Sequence, residues 1–486
     1  MEILSNALIA VVGAGTMGAG IAQVAATAGH PVVVLDTSTD ALARGRDIVA
    51  KSLASSVKRG KVDAEEAEAI QARIQWTTDR AEAASAALVI EAIVELLDAK
   101  VALFTELETI VGPGAILASN TSSLSIREIA AALDRPERFI GLHYFNPVPS
   151  MPLVETISAI TSSAAVVDAA TRLMRAWGKK PVAVRDVPGF IVNRVARPYY
   201  AEGFAALGDS VPARTIDTVL TEAGGFRMGP LELADMIGHD VNYAVACSVY
   251  DAYGRRTRFR PQETQRALFD AGHLGRKSGR GVYDYGLPLP RPPYMAAYDP
   301  PASIAASDAG LIAPLVDAAR AANIPVRQDI TLPRETLSVD GVILALGDGQ
   351  QLAHRAGVDV LLDFARDFYT AKTLAIVAAN DSAAAAAAGF LQAIGRKVLT
   401  LPDRSGQLVL RTLAQLANAA ADAVVDDVAS AQAVNDALRF GANHPEGPLA
   451  WAQRVGRGRV GAILQNLAVD SGDDSYLPSS FFAHDA

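Results

Sequence analysis

The sequence predicts an α/β protein, with a doubly wound parallel sheet in residues 1–186 followed by duplicated all-α domains. Three observations predict this class. A glycine-rich loop joins an apolar run to a helical pattern near the N-terminus. The hydrophobic pattern becomes helical from Pro188 onward. Short motifs of that helical part recur about 217 residues later, and a constant offset indicates an internal repeat.

The first βαβ unit is read directly from the pattern. Residues 7–12 are an apolar run suited to a central parallel strand, and a glycine loop follows at once. Apolar residues then recur at helical spacing until Gly29, and residues 31–35 form a second strand that ends at Asp36. Further predicted elements are strands at 87–92, 115–119 and 139–143, and helices at 96–111 and 125–133.

The positions of proline and glycine, together with the hydrophobic pattern, divide the chain into five regions. They are a dinucleotide-binding domain (1–186), a helical domain (187–285), a linker with six prolines (286–301), a degenerate α/β region (302–403) and a second helical domain (404–486). Residues 339–346 and 373–379 look like strands, but no glycine-rich phosphate loop follows either of them.

The repeat is carried by three motif pairs. They are Gly178-Lys179-Lys180 with Gly395-Arg396-Lys397, Asp186–Arg194 with Asp403–Arg411, and Gly229-Pro230-Leu231 with Gly447-Pro448-Leu449. Coincidence between two alanine-rich helical stretches is the alternative. The second copy has Leu410 where the first has Asn193, so we expect no second active site there.

Composition excludes several classes of function. Half of the 486 residues are hydrophobic and 20% are charged, which is typical of a globular protein. The net charge of −9 argues against nucleic acid as a partner. Cys247 is the only cysteine, so no internal disulfide forms and a reducing, cytoplasmic location is expected. No signal core, membrane-length apolar run or metal-ligand spacing is found, and the chain enters its first strand directly, so we expect no domain fused in front.

The glycine loop has the spacing of a phosphate-binding turn. Gly13 permits the tight turn, Gly15 lets the backbone approach a pyrophosphate, and Gly18 lets helix and strand pack closely. Thr16-Met17 begin the helix, whose N-terminus attracts anions. Asp36 would accept a hydrogen bond from a ribose 2′-OH and repel a 2′-phosphate, which favours NAD over NADP. An ordinary glycine turn with a solvated aspartate is the alternative.

Two polar constellations follow predicted strands. Ser122 lies in the run Ser119–Leu124 and could bind a substrate oxygen, although such a run is also typical of a helix N-cap. His143 is followed twelve residues later by Glu155, across a proline-rich turn that would return 151–157 alongside 139–144. An imidazole held by a carboxylate is a general base for an alcohol. A surface histidine near an unrelated glutamate is the alternative.

Together these motifs resemble the 3-hydroxyacyl-CoA dehydrogenase family over about residues 5–285. The matching segments are Gly13–Gly18, Glu91–Glu95, Ser119–Leu124, Gly141–Pro149, Pro188–Arg194 and Met228–Asp235. The resemblance implies a Rossmann-type fold that binds NAD, and oxidation of an (S)-3-hydroxyacyl-CoA to the 3-ketoacyl-CoA.

The resemblance also implies individual roles. His143 would be the base and Glu155 its partner, while Ser122 and Asn193 would bind the substrate oxygen. The cofactor site would include Glu95, Lys100, Asn146 and Lys277, and coenzyme A would touch Ser52 and Arg59. Arg59 lies in a basic cluster, Lys58–Lys61, which is also typical of a solvated helix end.

The substrate's acyl group stays open. Short-chain, longer fatty and 3-hydroxyadipyl-CoA substrates are all compatible, in fatty acid or phenylacetate catabolism. A terminal carboxylate would need a cation, for which Arg194, Arg197 and Arg227 are unranked candidates. A related dehydrogenase of a free hydroxy acid and a non-catalytic NAD-binding protein are the alternatives. The duplicated helical domain predicts a monomer with an internal pseudo-dimer, or else a homodimer.

Overall fold

The computed structural model describes residues 3–483 and divides the chain into two compact units. The first unit runs to Arg194 and also contains Asp426–Ala442. The second contains Val195–Val425 and the chain from Asn443 onward. Each unit contains a β-sheet of its own.

The first unit is built on an eight-stranded sheet. Its strands are β1 (Ile9–Val12), β2 (Val32–Leu35), β3 (Ile74–Thr77), β4 (Leu88–Glu91), β5 (Ile116–Ser119), β6 (Phe139–Tyr144), β7 (Leu153–Ser158) and β8 (Lys180–Arg185). The order across the sheet is β3-β2-β1-β4-β5-β6-β7-β8. Neighbouring strands run parallel except β6 and β7, which are antiparallel.

Helices connect these strands. They are α1 (Thr16–Thr27), α2 (Thr39–Lys58), α3 (Ala64–Ala72), α4 (Leu97–Ile110), α5 (Ile126–Ala130) and α6 (Ala164–Ala176), with 3₁₀ turns at Arg80–Ala83 and Pro136–Arg138. The central strands β1, β2, β4 and β5 are buried along their whole length, as in a parallel sheet covered on both faces.

The predicted elements of this unit are confirmed within one or two residues at most ends. The helix predicted at 125–133 is the exception, because α5 ends at Ala130. Arg135, which precedes Pro136, lies outside the helical region with φ −131° and ψ 66°, so a helix here has to end before Arg135. The return of 151–157 alongside 139–144 is confirmed as the antiparallel pair β6 and β7.

A run of helices follows, as predicted from Pro188 onward. They are α7 (Val192–Val195), α8 (Arg197–Gly208), α9 (Ala213–Glu222), α10 (Pro230–Ile237), α11 (His239–Ala252) and α12 (Glu263–Asp270), with 3₁₀ turns at Thr257–Phe259 and Arg276–Ser278. Residues 286–301 form neither helix nor strand. The N–H of Met295 nevertheless donates to the carbonyl of Val398 at 2.9 Å, which ties this proline-rich segment to the second sheet.

The second sheet has seven strands. They are β9 (Ile304–Ala306), β10 (Val326–Gln328), β11 (Thr336–Val339), β12 (Val342–Leu346), β13 (Val360–Leu362), β14 (Thr373–Ala378) and β15 (Lys397–Thr400), in the order β10-β9-β11-β12-β13-β14-β15. The helices α13 (Ala313–Ala321) and α14 (Asp381–Ala393) accompany them, with 3₁₀ turns at Gly310–Ile312 and Leu352–His354. The sequence predicted two of these strands, because strands of three or four residues give too little alternation to read.

Four helices close the chain. They are α15 (Val409–Val425), α16 (Ala431–Gly441), α17 (Pro448–Val455) and α18 (Arg457–Ser471), with 3₁₀ turns at Asp474–Tyr476 and Ser480–Phe482. α16 belongs to the first unit, where Phe440 lies under the Lys180 ammonium at 5.0 Å. Among residues 3–483 no helix is long and apolar enough to span a bilayer.

Candidate active site

The glycine loop between β1 and α1 is shaped for a ligand. Gly13 has a φ of +104°, and a Cβ there would lie 2.5 Å from the carbonyl oxygen of Ala92. A Cβ on Gly18 would clash with the Gly13 carbonyl, so both positions require glycine. Nothing lies within 4 Å of a Cβ built on Gly15, and no side chain caps α1. The loop therefore leaves open backbone at a helix N-terminus, which is the arrangement that binds a pyrophosphate.

Asp36 lies directly after β2, beside this loop. One carboxylate oxygen accepts from the N–H of Ala14 at 2.8 Å, and the other accepts from the N–H of Ser38 at 3.0 Å. Asp36 also lines a cleft of about 580 Å³ together with Gly13, Gly15 and Thr78. A carboxylate beside the glycine loop, on the wall of the same cleft, suits the adenosine ribose of a dinucleotide.

A buried charge network follows β4. Lys100 is buried and contacts the carboxylates of both Glu91 and Glu95, the latter at 3.2 Å. Ser119, at the end of β5, donates its hydroxyl to Glu91 at 2.7 Å. Two carboxylates thus share one ammonium at the carboxyl edge of the sheet, where α/β folds bind ligands.

Glu95 also organises the loop after β5. Its Oε1 accepts from the Thr121 hydroxyl at 2.7 Å, the Ser122 N–H at 2.7 Å and the Ser123 N–H at 3.1 Å. Burial opposes ionisation of Glu95, but these hydrogen bonds and the Lys100 charge outweigh burial and lower its pKa. An anionic carboxylate therefore fixes the loop that carries Ser122.

Ser122 is not a helix N-cap. The cap of α5 is Ser125, whose hydroxyl accepts from the N–H of Glu128 at 3.3 Å. Ser122 instead donates its hydroxyl to Glu95 at 3.1 Å, and its carbonyl accepts from the Asn193 side chain at 3.3 Å. The two residues predicted to bind the substrate oxygen therefore lie together.

His143 and Glu155 face each other across the pair β6 and β7. The imidazole Nδ1 is 2.6 Å from Glu155 Oε2, and both side chains are buried. The second carboxylate oxygen accepts from the N–H groups of Ile191 and Val192 at 2.9 and 3.0 Å. A carboxylate fixed from two sides assigns the proton to Nδ1, which leaves the lone pair of Nε2 free to act as a base.

Two aromatic rings flank the His143 imidazole. Phe145 lies 4.5 Å from the His143 ring and Phe190 lies 5.8 Å from it, measured between centroids. Asn120 accepts the N–H of Tyr144 at 2.8 Å, which links the end of β6 to the serine loop. The first unit therefore pairs His143 with Glu155 and Asn193 with Ser122. The spacing predicted the first pair, and the family resemblance implied the second.

Two functional positions were missed at the sequence level. Lys179 is buried and donates to the carbonyls of Val148 and Met151 at 2.5 and 2.9 Å, so it fixes the turn after Asn146. Burial lowers the pKa of Lys179 to about 8. Asp186 accepts from the Ile126 N–H at 3.0 Å and anchors α5. Both residues belong to the repeated motifs, which was the available signal.

The remaining predicted residues are found on other elements. Ser52 lies within α2, and Arg59 is exposed directly after it. Lys277 lies in the second unit, where its ammonium pairs with Asp240 at 2.5 Å. Their assignments to coenzyme A and the cofactor stay predictions. Within residues 3–483 no group of three histidine, cysteine or acidic side chains is placed to hold a metal ion.

Family models match most of the chain. The NAD binding domain of 3-hydroxyacyl-CoA dehydrogenase matches residues 8–187, and the C-terminal domain of the same enzyme matches twice, at 189–285 and 406–484. The reduced Rossmann-fold domain of 3-hydroxybutyryl-CoA dehydrogenase matches 344–404. The double match confirms the predicted duplication of the helical domain.

Individual relatives agree. The chain is 42% identical over 479 residues to the 3-hydroxyadipyl-CoA dehydrogenase of Escherichia coli, covering 97% of this chain and 96% of the relative. It is also similar to the crystal structure of 3-hydroxybutyryl-CoA dehydrogenase from Escherichia coli, with a TM-score of 0.89, 40% identity and coverage of 99% and 98%. The (S)-3-hydroxybutyryl-CoA dehydrogenase structure from Ralstonia eutropha is 41% identical with a TM-score of 0.56, covering 57% of this chain and 98% of that one.

Proposed function

Because the chain belongs to the 3-hydroxyacyl-CoA dehydrogenase family, we propose that His143 is the general base of its reaction. The protein is an NAD-dependent enzyme that oxidises a 3-hydroxyacyl-CoA to the 3-ketoacyl-CoA. The observation that carries the proposal is the buried Nδ1–Oε2 contact of 2.6 Å between His143 and Glu155. A protein that only bound NAD would have no need of a base held in this way.

The reaction needs a proton and a hydride to leave the same alcohol. His143 Nε2 takes the hydroxyl proton, and the Glu155 carboxylate stabilises the imidazolium that forms. Ser122 and Asn193 hold the substrate oxygen while it becomes a carbonyl. NAD, when bound, accepts the hydride from C3.

The cofactor's contacts follow from the open loop and its surroundings. Gly13, Gly15, Thr16, Met17 and Gly18 would hold the pyrophosphate at the N-terminus of α1. Asp36 would bind the adenosine ribose and set the preference for NAD. The nicotinamide side would be held by Glu95, Lys100, Asn146 and Lys277. The Glu91–Lys100–Glu95 network supports this assignment, because it lies at the carboxyl ends of β4 and β5.

For the substrate we favour a six-carbon dicarboxylic acyl group on coenzyme A, as in the breakdown of aromatic rings. The support is the 3-hydroxyadipyl-CoA dehydrogenase that matches nearly the whole chain. Ser52 and Arg59 would contact coenzyme A. A four-carbon acyl group is the second candidate, because a full-length similar structure is a 3-hydroxybutyryl-CoA dehydrogenase.

A panel of substrates tests this proposal. The value of kcat/KM would be measured with NAD for 3-hydroxyacyl-CoA esters of four to twelve carbons, with and without a terminal carboxylate. We expect turnover across the panel and a maximum at 3-hydroxyadipyl-CoA. Turnover of a free hydroxy acid but of no CoA ester would contradict the proposal.

The second helical copy supports a monomer with an internal pseudo-dimer. In the second unit α8 packs on α15, and the offset of 217 residues places most of these two helices at equivalent positions. Phe226 likewise packs edge-to-face on His444, which lies 218 residues later, with 5.1 Å between the ring centroids. Contacts between equivalent residues are the signature of a two-fold interface. We therefore assign 404–486 the place of a partner's helical domain (187–285), and we place the enzyme in the cytoplasm.

A further inference from the structure

The cleft beside the glycine loop has three charged residues on its walls. They are Asp36 after β2, Arg80 at the start of the 3₁₀ turn after β3, and Glu106 on α4. All three belong to the first unit and line the same cleft of about 580 Å³. One cation therefore faces the same space as two carboxylates.

Neighbouring strands bring Asp36 and Arg80 to this cleft. β2 and β3 are parallel, and Leu35 lies opposite Thr77. The N–H of Asp36 donates to the carbonyl of Thr77 at 3.3 Å, and Arg80 follows Thr77 by three residues. Because consecutive Cα atoms are about 3.8 Å apart, the Cα of Arg80 lies within about 12 Å of the Cα of Thr77. Arg80 is therefore the cation of the cleft that a group bound at Asp36 would meet.

Arg80 is occupied by Glu106. Its Nη1 contacts Glu106 Oε2, and the two side chains are 32% and 48% exposed. Ion pairs at this exposure are weak, because water competes for both partners. Glu106 thus holds Arg80 without locking it, and removal of the Glu106 charge would free the guanidinium for another anion.

Asp36 discriminates between two forms of a ribose. Its two carboxylate oxygens each accept one backbone N–H, from Ala14 and from Ser38. Each oxygen keeps a second lone pair, which can accept a ribose 2′-OH. A phosphate monoester in place of that hydroxyl carries nearly two negative charges. A 2′-phosphate would therefore meet the Asp36 carboxylate, a second carboxylate on Glu106, and a cation that Glu106 already occupies.

We propose that Glu106 is a specificity-determining residue that, together with Asp36, excludes NADP. Glu106 does so by occupying Arg80, which would otherwise pair with the 2′-phosphate. An arginine suits that pairing, because its planar fork of N–H groups matches phosphate oxygens. The proposal rests on the proposed function, since it requires Asp36 to bind the adenosine ribose.

The test measures the ratio of kcat/KM with NADP to kcat/KM with NAD in the full-length enzyme. The ratio should rise roughly 10-fold in Asp36→Asn and roughly threefold in Glu106→Gln, because each variant removes one carboxylate from the cleft. The double variant should gain roughly 300-fold, more than the product of the single changes, because only there is Arg80 free beside an uncharged residue 36.

Two further variants serve as controls. Arg80→Met, added to the double variant, should return the ratio to about that of Asp36→Asn, because the cation is gone. Asp98→Asn removes an exposed carboxylate from the first turn of the same helix, and Asp98 does not line the cleft. It should leave the ratio within about twofold, because exposed charges away from the ligand are screened.

A binding measurement keeps the test independent of turnover. Adenosine 2′,5′-bisphosphate and adenosine 5′-monophosphate differ only in the 2′-phosphate, so calorimetry with both reports the adenosine end alone. The double variant should bind the bisphosphate roughly 10-fold more tightly than wild type does, and added salt should weaken this gain, since the new contact joins two charges.

The outcomes separate the two proposals. A double variant that uses NADP no better than Asp36→Asn, or a gain that survives Arg80→Met, would overturn this inference only. An Asp36→Asn variant as strict for NAD as wild type would overturn the inference together with the role given to Asp36. No turnover of any 3-hydroxyacyl-CoA with NAD would overturn the proposed function, and calorimetry would still decide the inference.

Discussion

The strand pair β6 and β7 in the first unit and the strand pair β13 and β14 in the second have the same geometry and different chemistry. His143 lies opposite Glu155 across the first pair. In the second pair the same register places Asp363 opposite Ala375, with the Asp363 N–H donating to the Ala375 carbonyl at 2.9 Å. An aspartate and an alanine thus stand where the first pair has the imidazole and its carboxylate partner.

One structural contact survives this replacement. In the first unit the Glu155 carboxylate accepts the N–H groups of Ile191 and Val192. In the second the Asp363 carboxylate accepts those of Leu408 and Val409, which lie 217 residues further along, at 3.1 and 2.8 Å. The accepting carboxylate follows β13 in the second unit, whereas in the first it lies on β7, the second strand of its pair. In both units it accepts the backbone N–H groups that begin the next helical segment.

The comparison separates two roles of Glu155. Its contact with the backbone at 191–192 is part of the scaffold, since the second unit keeps an equivalent of it. We propose that its contact with His143 serves the chemistry, since the strand pair of the second unit lacks both partners. Asp186 and Asp403 show the same conservation of scaffold: Asp186 accepts the Ile126 N–H at 3.0 Å, and Asp403 accepts the Leu352 N–H at 2.7 Å.

Removing the residues after 286 should have the largest effect, which is a change in the oligomeric state of the protein. A chain of residues 1–286 lacks α15, which packs on α8, and α16, which packs on β7 and β8. The uncovered apolar surface should drive dimerisation or aggregation, because patches of several hundred Å² seek partners. Light scattering after size-exclusion chromatography measures the mass. A stable and fully active monomer would show that the second copy does not stand in for a partner.

Removing the base should have the next largest effect. His143→Gln should lower kcat by roughly 10²–10⁴, the usual contribution of a general base, with little change in NAD affinity. Steady-state kinetics and a fluorescence titration with NAD measure the two quantities. A variant that retained a third of the wild-type kcat would rule out this role for His143.

The unfolding free energy should depend on pH through the buried Asp363 carboxylate of the second unit. Burial raises the pKa of Asp363 to about 6 from its usual 3.8. Between the two pKa values the folded state binds this proton and the unfolded state does not, so low pH favours the folded state. This contribution to stability is lost as the pH rises through 6. The unfolding free energy of wild type relative to Asp363→Asn should therefore fall by up to about 3 kcal/mol between pH 4 and 7. Urea unfolding at several pH values measures it, and an opposite slope would contradict the assignment.

The two carboxylates should differ most clearly in activity. Glu155→Gln should lower kcat about 10-fold to 100-fold, because the imidazolium loses its counter-charge. Asp363→Asn should leave kcat within about threefold, since no base lies opposite it. The comparison is made on enzyme shown by circular dichroism to be folded. Equal losses in both variants would mean that Glu155 acts through the scaffold alone.

Much of the candidate active site was predictable because its geometry is local. The glycine loop is defined by strand, turn and helix in one short segment, and the spacing of His143 and Glu155 follows from a single antiparallel turn. Which of Arg194, Arg197 and Arg227 already has a carboxylate partner was not predictable, because pairing depends on residues far away in sequence. Asp426, for example, lies 232 residues from Arg194.

The second sheet was largely missed for a different reason. Strands of three residues, such as β9 and β13, carry too few positions for any periodicity. The sequence also did not predict that α16 belongs to the first unit, because the hydrophobic pattern of a helix does not identify the surface on which it packs. Both features depend on tertiary packing.

The position of α16 has a consequence for the nascent chain. β8 ends at Arg185, whose N–H donates to the carbonyl of Val428 at 3.0 Å, and α16 follows directly after that segment. Ribosomes add about 5–20 residues per second, so the roughly 250 residues between β8 and α16 take on the order of 10–50 s to synthesise. During that interval the edge of the first sheet is made but uncovered. We therefore expect the half-finished chain to be a chaperone client, released when its α16 emerges from the ribosome.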